Sequence, residues 1–312
     1  MITYILRRLL YTIPIVIGVL LLTFFLFTVV GGDISQQITG KNADAQTIAE
    51  IRHEYGFDKP LFWSFDSQFL DHFKKALTFN FGRALDREKI SEKILRGVGP
   101  SLSLTAPMFF GTLAISISLS LLVAFARGTW LDVTVVVLCV AGMSIPYLSF
   151  IIFGQYFFAY KIGAFPIMYM PEQSMTYSLA LPILIGIAAG LGANLRFYRT
   201  VMLDEMRSDY VRTAFAKGLS TPKVLFMHVL KNAMIPIITN VVLVIPFLVL
   251  GSFLLERFFG IPGLGSLMIE AFASRDYFII NAMTFIFALL ICFFTVLTDI
   301  CYALVDPRIQ FE

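Results

Sequence analysis

SDYVRTAFAKGLSTPKVLFMHVLKNAMIP, residues 208–236, is a polar, basic stretch with helical patterning, set between two long apolar runs. Its punctuation predicts two short helices that meet at a glycine. Ser208 is placed to cap a helix from about Asp209, Lys217 suits its last turn, and Gly218 tolerates the left-handed conformation that ends helices. Thr221 followed by Pro222 reads as a cap with proline at the first helical position, which predicts a second helix from Pro222 through Ala233, up to Pro236. A helix as short as Asp209–Lys217 is marginal alone, because isolated helices need about 12 to 15 residues. Something must hold it. Tyr210, Val211, Ala214 and Phe215 either pack on neighbouring membrane helices or fill a groove in a cytosolic partner, with Arg212 and Lys217 at the rim. An ordinary basic loop beside a membrane is the other reading of the same composition.

Outward from this stretch the chain is apolar: of 312 residues 58% are hydrophobic, 14% are charged and 32 are phenylalanine, which excludes a soluble globular domain. Six segments lack Asp, Glu, Lys and Arg for more than the roughly 20 residues a span requires. They are Leu9–Gly32, Val98–Ala126, Val133–Tyr160, Gln173–Leu195, Asn232–Leu255 and Tyr277–Thr298. The expected fold class is therefore all-α, a polytopic membrane protein of six transmembrane helices. The first run has 24 uncharged residues, too many for a cleaved signal core, so it reads as a retained span with the N-terminus inside. With that orientation the inner pieces (the N-terminus, Arg127–Asp132, Arg196–Lys231 and the C-terminus) carry 11 Lys and Arg, against 3 in the two short outer loops. Cys139, Cys292 and Cys301 lie in or beside spans without metal-ligand spacing and read as packing residues.

The outer segment from Asp33 to Gly97 reads as structured. Asn42 is placed to cap a helix from Ala43 to Tyr55 that Gly56 ends, and a second helix is expected after Pro60. Leu61, Phe62, Trp63, Phe65, Phe69, Leu70 and Phe73 are too apolar for water, which predicts contact with the membrane interface or the bundle. His53 and His72 read as surface residues. Asn80-Phe81-Gly82-Arg83 reads as a turn before a short amphipathic helix around Ile90–Leu95 that leads into the second span. Gly186, Ala189, Gly190 and Ala193, with Ala106, Gly111 and Ala114, permit close helix approach, while Pro107, Pro146, Pro182 and Pro246 are kink candidates. The turn cluster Phe259-Gly260-Ile261-Pro262-Gly263-Leu264-Gly265 is expected to dip back over the outer mouth.

Several chemistries are missing. Intramembrane ionisable groups are nearly absent: Asp299 sits near the inner end of the last span, and Asp132 and Glu256 read as boundary residues, which argues against an ion-coupled carrier. No phosphate loop occurs, since Gly40-Lys41 lacks the upstream glycine and is followed by Asn42. There is no HExxH or GxSxG, so the residues offer neither a hydrolase constellation nor a cofactor site.

The run Tyr210-Val211-Arg212-Thr213-Ala214-Phe215-Ala216-Lys217-Gly218-Leu219-Ser220, continuing through His228-Val229-Leu230-Lys231-Asn232-Ala233 to Ile235-Pro236, resembles the cytoplasmic coupling loop of ABC importer permeases, closest to the oligopeptide and dipeptide (peptide/nickel) branch. The generic loop begins Glu-Ala-Ala with a glycine four residues after the second alanine. Ala214 and Gly218 fit; Arg212 replaces the glutamate, Thr213 the first alanine and Lys231 the usual proline, departures themselves similar to the peptide branch. Ile5-Leu6-Arg7-Arg8-Leu9, Phe81-Gly82-Arg83, and Ile261-Pro262-Gly263-Leu264-Gly265 through Arg275-Asp276-Tyr277 to Asp306-Pro307-Arg308 agree, so the resemblance spans nearly the whole chain.

The resemblance implies a type I ABC importer permease fold in a bacterial inner membrane. It divides the chain into residues 1–32 (cytoplasmic end and first span), an extracytoplasmic segment 33–97, a transmembrane domain 98–305 with the coupling loop at 199–235, and a cytoplasmic end 306–312. Asp209 to Ser220 would then be the ATPase-coupling element. The implied partners are a second homologous permease, two cytosolic ABC ATPases, an extracytoplasmic solute-binding protein and membrane lipid, with no nucleic acid, and ATP hydrolysis belongs to the separate ATPases. The implied substrate is a peptide, although relatives in this branch handle nickel, glutathione or oligosaccharides. The outer loop from Lys161 to Met175 is reduced compared with many relatives. Two other classes stay open on the residues alone: a membrane scaffold that docks a non-ATPase partner, and an ion-coupled carrier.

Overall fold

The computed structural model describes residues 2–30, 35, 39, 44–62, 64, 66–170, 172 and 174–305. Among them the regular structure is helical, apart from one isolated bridge between Arg83 and Lys89. Helix α1 (Ile2–Phe24) continues as a π turn over Phe25–Val30, and α2 (Ala45–Tyr55) and α3 (Gln68–Leu77) follow. Next come α4 (Ile90–Phe125), α5 (Trp130–Ser144), α6 (Tyr147–Gly154) with a π turn over Gln155–Lys161, and α7 (Met175–Met206). The short α8 (Asp209–Ala216) and α9 (Thr221–Val224) lead through a π turn, Leu225–Leu230, into α10 (Lys231–Leu250). Finally α11 (Phe253–Phe259), α12 (Leu264–Ser274) and α13 (Tyr277–Val305) close the order.

Among the described residues five stretches are long and apolar enough to cross a membrane, and α5 with α6 makes a sixth that is bent by 93°. The expected third span is thus a broken one. Ile145, preceding Pro146, takes the extended conformation (φ −86°, ψ 125°) that proline imposes on its predecessor, and the helix restarts at Tyr147. Pro107, Pro182 and Pro246 instead lie within continuous helices.

Among the described residues, contacts give two compact units, one of the residues up to 97 with 267–296 and one of residues 98–266 with those from 297 onward. In the first, Leu20, Ala76 and Phe285 form the core, flanked by Val16, Phe73, Phe81 and Leu289. Phe24 meets the Phe62 ring at 5.3 Å and the Phe69 ring at 5.4 Å, so the aromatic face of α3 is covered by α1, as its apolarity demanded. Two helix starts differ from expectation. The described part of α2 begins at Ala45 under an Asp44 cap, whose carboxylate accepts from the Thr47 amide, and Asn42 lies outside the described residues, as do Trp63 and Phe65. Helix α3 starts only at Gln68, where the Ser67 hydroxyl takes the Leu70 amide. The amphipathic piece at Ile90 leads into the second span as expected, forming the first turns of α4, which passes through Pro100.

His72 is not a surface residue. Its ring lies 5.9 Å from that of Phe24, and its Nε2 is buried without a hydrogen-bond partner. Burial, helped by the Lys75 charge, holds its pKa down from the ordinary 6.5 to about 4. It lines a cavity of about 110 Å³ with Phe24, Lys75, Tyr277, Asn281 and Phe285, where the Asn281 Oδ1 is likewise buried and unpaired. His53 is exposed as expected.

In the second unit, small residues set the helix approaches. A Cβ at Gly111 would stand 2.7 Å from Ile187, and one at Gly190 3.2 Å from Thr112, so α4 and α7 meet along the stripe that the sequence marks. One cluster joins Leu104, Ile151, Leu181, Leu255, Phe259 and Ile261. A second joins Leu121, Tyr198, Met202, Val211, Ala214, Val224, Val229 and Ile237. Cys139 and Cys292 are buried free thiols, in keeping with a packing role.

Candidate functional site

Residues 208–236 fold as two elements around a glycine, with details that differ from expectation. Helix α8 begins after Ser208, whose extended backbone (φ −68°, ψ 146°) presents its carbonyl to the Val211 amide at 3.1 Å; the Ser208 side chain makes no capping bond. Inside, the Thr213 hydroxyl donates to the Asp209 carbonyl at 2.9 Å. At the far end Gly218 adopts φ +75°, its amide donates to Phe215 at 2.9 Å, and the Leu219 amide reaches back to Ala214 at 3.4 Å. That pair of bonds is the Schellman arrangement, which needs a left-handed residue at the glycine position. Gly218 therefore does what its residue type suggested.

Two features of the second element differ from expectation. The cap is Ser220, not Thr221, so Pro222 falls one position further in. The helix does not end at Pro236 either: α9, the π turn and α10 form one path to Leu250 with Pro236 inside it, as proline is tolerated where membrane helices find other partners for the freed carbonyl.

What holds α8 is the chain's own core. Val211 is 2% and Ala214 4% exposed, packed with Tyr198 and Met202 of α7 and Val224, Leu225 and Val229 beyond the glycine, with Leu219 against the same cluster. Of the four apolar residues that carried two possible destinations, Val211 and Ala214 face inward. Tyr210 and Phe215 face out, at 39% and 40% exposure, beside exposed Asp209, Arg212, Thr213, Ala216, Lys217 and Ser220. The Tyr210 hydroxyl meets the Glu205 carboxylate. Arg212 and Asp209 form an ion pair at 3.6 Å, so exposed that it adds little stability. The element is thus a short helix anchored by Val211 and Ala214, with Tyr210 and Phe215 part-exposed on the two flanks of that buried face and Asp209, Arg212, Thr213 and Ala216 outermost between them.

Two carboxylates read as boundary residues turn out to be buried. Glu256 has no exposed surface: Oε1 accepts from the Ser101 hydroxyl at 2.8 Å and the Ser252 amide at 3.1 Å, Oε2 accepts from the Ser266 amide at 3.0 Å, and Ser101 Oγ accepts from the Leu264 amide at 2.8 Å. A carboxylate saturated by fixed donors ties the 260–266 turn down and is ill suited to relaying protons. Asp132, 5% exposed, accepts two bonds from the Arg199 guanidinium at 2.7 and 2.9 Å and one from the Gly128 amide at 3.0 Å. Neither network is visible locally, since Asp132 and Arg199 are 67 residues apart and Ser101 and Glu256 155. The side chain of Asp299 lies outside the described residues. Among the described residues no His, Cys, Asp and Glu cluster could hold a metal.

Among the described residues, five or six apolar spans and a helix-glycine-helix element packed on α7 describe a polytopic α-helical membrane protein. Residues 116–311 match the family model described as binding-protein-dependent transport system inner membrane component, and residues 1–84 match the N-terminal model of such membrane components. The chain belongs to this family: it is an inner-membrane permease of an ABC importer, in the peptide/nickel branch, with the type I fold. It is 32% identical over 313 residues to the glutathione transport system permease protein GsiC of Salmonella choleraesuis strain SC-B67, covering 100% of both chains. The GsiC proteins of Salmonella typhi (32%) and Escherichia coli strain K12 (31%) are matched over the same full length. The protein is accordingly a multi-pass inner-membrane protein with a permease role in a binding-protein-dependent importer.

Proposed function

We propose that the chain forms, with a second homologous permease, the translocation path of an ATP-driven importer, and that Asp209–Ser220 is the element through which a cytosolic ATPase drives it. The observation that carries this reading is the division of α8 into two faces: Val211 and Ala214 lock it to the permease, while Tyr210 and Phe215 stand exposed with Arg212 and Lys217 around them. A helix buried along one face, with an aromatic ring on each flank and a polar outer face between them, fits seating in a groove whose two walls meet the rings. The Lys and Arg asymmetry puts this face in the cytoplasm, with residues 33–97 outside, 98–305 as the transmembrane domain and 306–312 inside. ATP hydrolysis belongs to two separate ATPase subunits, because the chain has no phosphate loop. An extracytoplasmic binding protein delivers the substrate, a small peptide; the relatives' description as glutathione transport permeases favours that class over nickel or sugars.

The test is a substitution on the outward face. Phe215→Asp, in cells that express the whole transporter, is expected to leave permease abundance unchanged while the ATPase no longer co-purifies and uptake is lost. Normal ATPase recovery and normal uptake in that variant would remove the coupling role from α8.

A further inference from the structure

We infer that Asp132 and Arg199 are positioning residues for transport: their ion pair makes α5 and α7 one rigid strut, through which displacement of α8 reaches the break at Pro146. The inference rests on the coupling role proposed for α8 and extends it into the bundle.

The geometry begins with register. Helices α5 and α7 touch at two levels. A Cβ at Gly192 would lie 2.9 Å from the Cys139 carbonyl oxygen, so the two backbones are in close contact there. Arg199 clasps Asp132 with Nε at 2.7 Å from Oδ1 and a terminal nitrogen at 2.9 Å from Oδ2. Residues 192 and 199 are two turns apart on α7, as are 139 and 132 on α5, so the two contacts fix an antiparallel pair at both ends of one stretch. A glycine contact alone allows helices to slide or roll, whereas a bidentate guanidinium–carboxylate pair fixes direction as well as distance.

The adjoining face of α7 carries the grip on α8. Tyr198 and Met202, 2% and 0% exposed, pack with Val211 and Ala214, while Arg199, between them in sequence, turns toward α5. The lower end of α7 is therefore held on one side by α8 and on another by Asp132. Asp132 is itself fixed, since its Oδ2 also takes the Gly128 amide at 3.0 Å, which braces the 126–129 turn. Above, α5 ends at Ser144 and the chain turns through 93° into α6. A push on α8 thus has a stiff path through α7 and the ion pair to α5, and the next compliant point is the Ile145–Pro146 break.

The experiment uses the whole transporter, with permease abundance, ATPase co-purification, binding-protein-stimulated ATP hydrolysis and uptake measured on the same membranes. Asp132→Asn and Arg199→Lys are the variants, with the exchanged pair Asp132→Arg/Arg199→Asp as rescue and Phe215→Asp as control. The inference expects each single variant to keep the ATPase bound while uptake per permease and stimulated hydrolysis both fall by about tenfold, and the exchanged pair to regain part of that loss. A merely stabilising ion pair would lower abundance and leave uptake per permease at the unsubstituted level, and this result would overturn the inference. Equal loss in the exchanged pair and in the single variants, with abundance intact, would also count against it, because pairing would then not be the property that matters. If Phe215→Asp leaves ATPase binding and uptake intact, the coupling reading itself fails; if Phe215→Asp releases the ATPase but Asp132→Asn transports normally, only the strut is refuted.

Discussion

At Gly218 one backbone angle carries a functional consequence. Its φ of +75° lies where only glycine sits without strain, yet an added Cβ would meet nothing within 4 Å. The effect of Gly218→Val is therefore conformational and not steric, about 1 to 2 kcal/mol. That is small for the whole bundle but enough to spoil the Schellman turn which sets the angle of α8. We expect near-normal abundance with strongly reduced uptake, read by immunoblot and uptake on the same cells; full uptake would show that the turn is dispensable. Ala214 differs: at 4% exposure it packs in the chain's own core, so a charge there tests folding and not partner contact. His72 supplies a pH signature. Its folded pKa is depressed to about 4 from 6.5 by burial and by Lys75, with Asp71, already bonded to Lys59, on the same cavity wall. Between those values the unfolded chain binds the proton and the folded chain does not, so the contribution is present above 6.5 and lost as pH falls toward 4, by up to roughly 3 kcal/mol. Thermal melts of the purified protein should show a loss of stability over that window that His72→Phe removes; identical pH profiles for the two proteins would refute it.

At the scale of elements, what the sequence disclosed and what it hid follow from the range of the interactions. The spans, Gly56 and Gly218 as helix ends, the helix after Ser208 and the small-residue stripe on α7 all rest on local periodicity or on one residue's conformational freedom, and the structure has them. Caps were harder, because adjacent Ser, Thr, Asn and Asp compete for the same role: Ser220 takes the cap position ahead of Thr221 without a side-chain bond, and Asp44 caps α2 through its carboxylate. Pro146 broke a span while Pro107, Pro182 and Pro246 did not, a difference that depends on neighbours which no local pattern contains. The two buried carboxylates were illegible for the same reason. Glu256 draws its donors from Ser101, Ser252 and Ser266, and joins α4, the start of α11 and the first turn of α12. Glu256→Gln keeps the shape but points an amide N–H₂ at backbone donors. It is expected to destabilise the protein by about 1–3 kcal/mol, seen as a lower melting temperature in detergent; an unchanged melting temperature would mean that the turn is held by other contacts.

At the scale of the whole molecule, the chain combines apolar spans, an anchored helix and a buried brace, and its sequence carries no GxxxxGK(S/T) motif. The central claim is that the outward face of α8 lies in the cytoplasm against an ATPase. The most direct measurement is site-specific cross-linking from Phe215→Cys, in a background lacking Cys139, Cys292 and Cys301, in membranes that contain the complete transporter. The account predicts an adduct of permease plus ATPase subunit whose yield changes when ATP is added, and protection of the same cysteine from an impermeant thiol reagent in sealed cells. Labelling of that cysteine from outside, or an accessible cysteine that forms no adduct with the co-purifying ATPase, would contradict it.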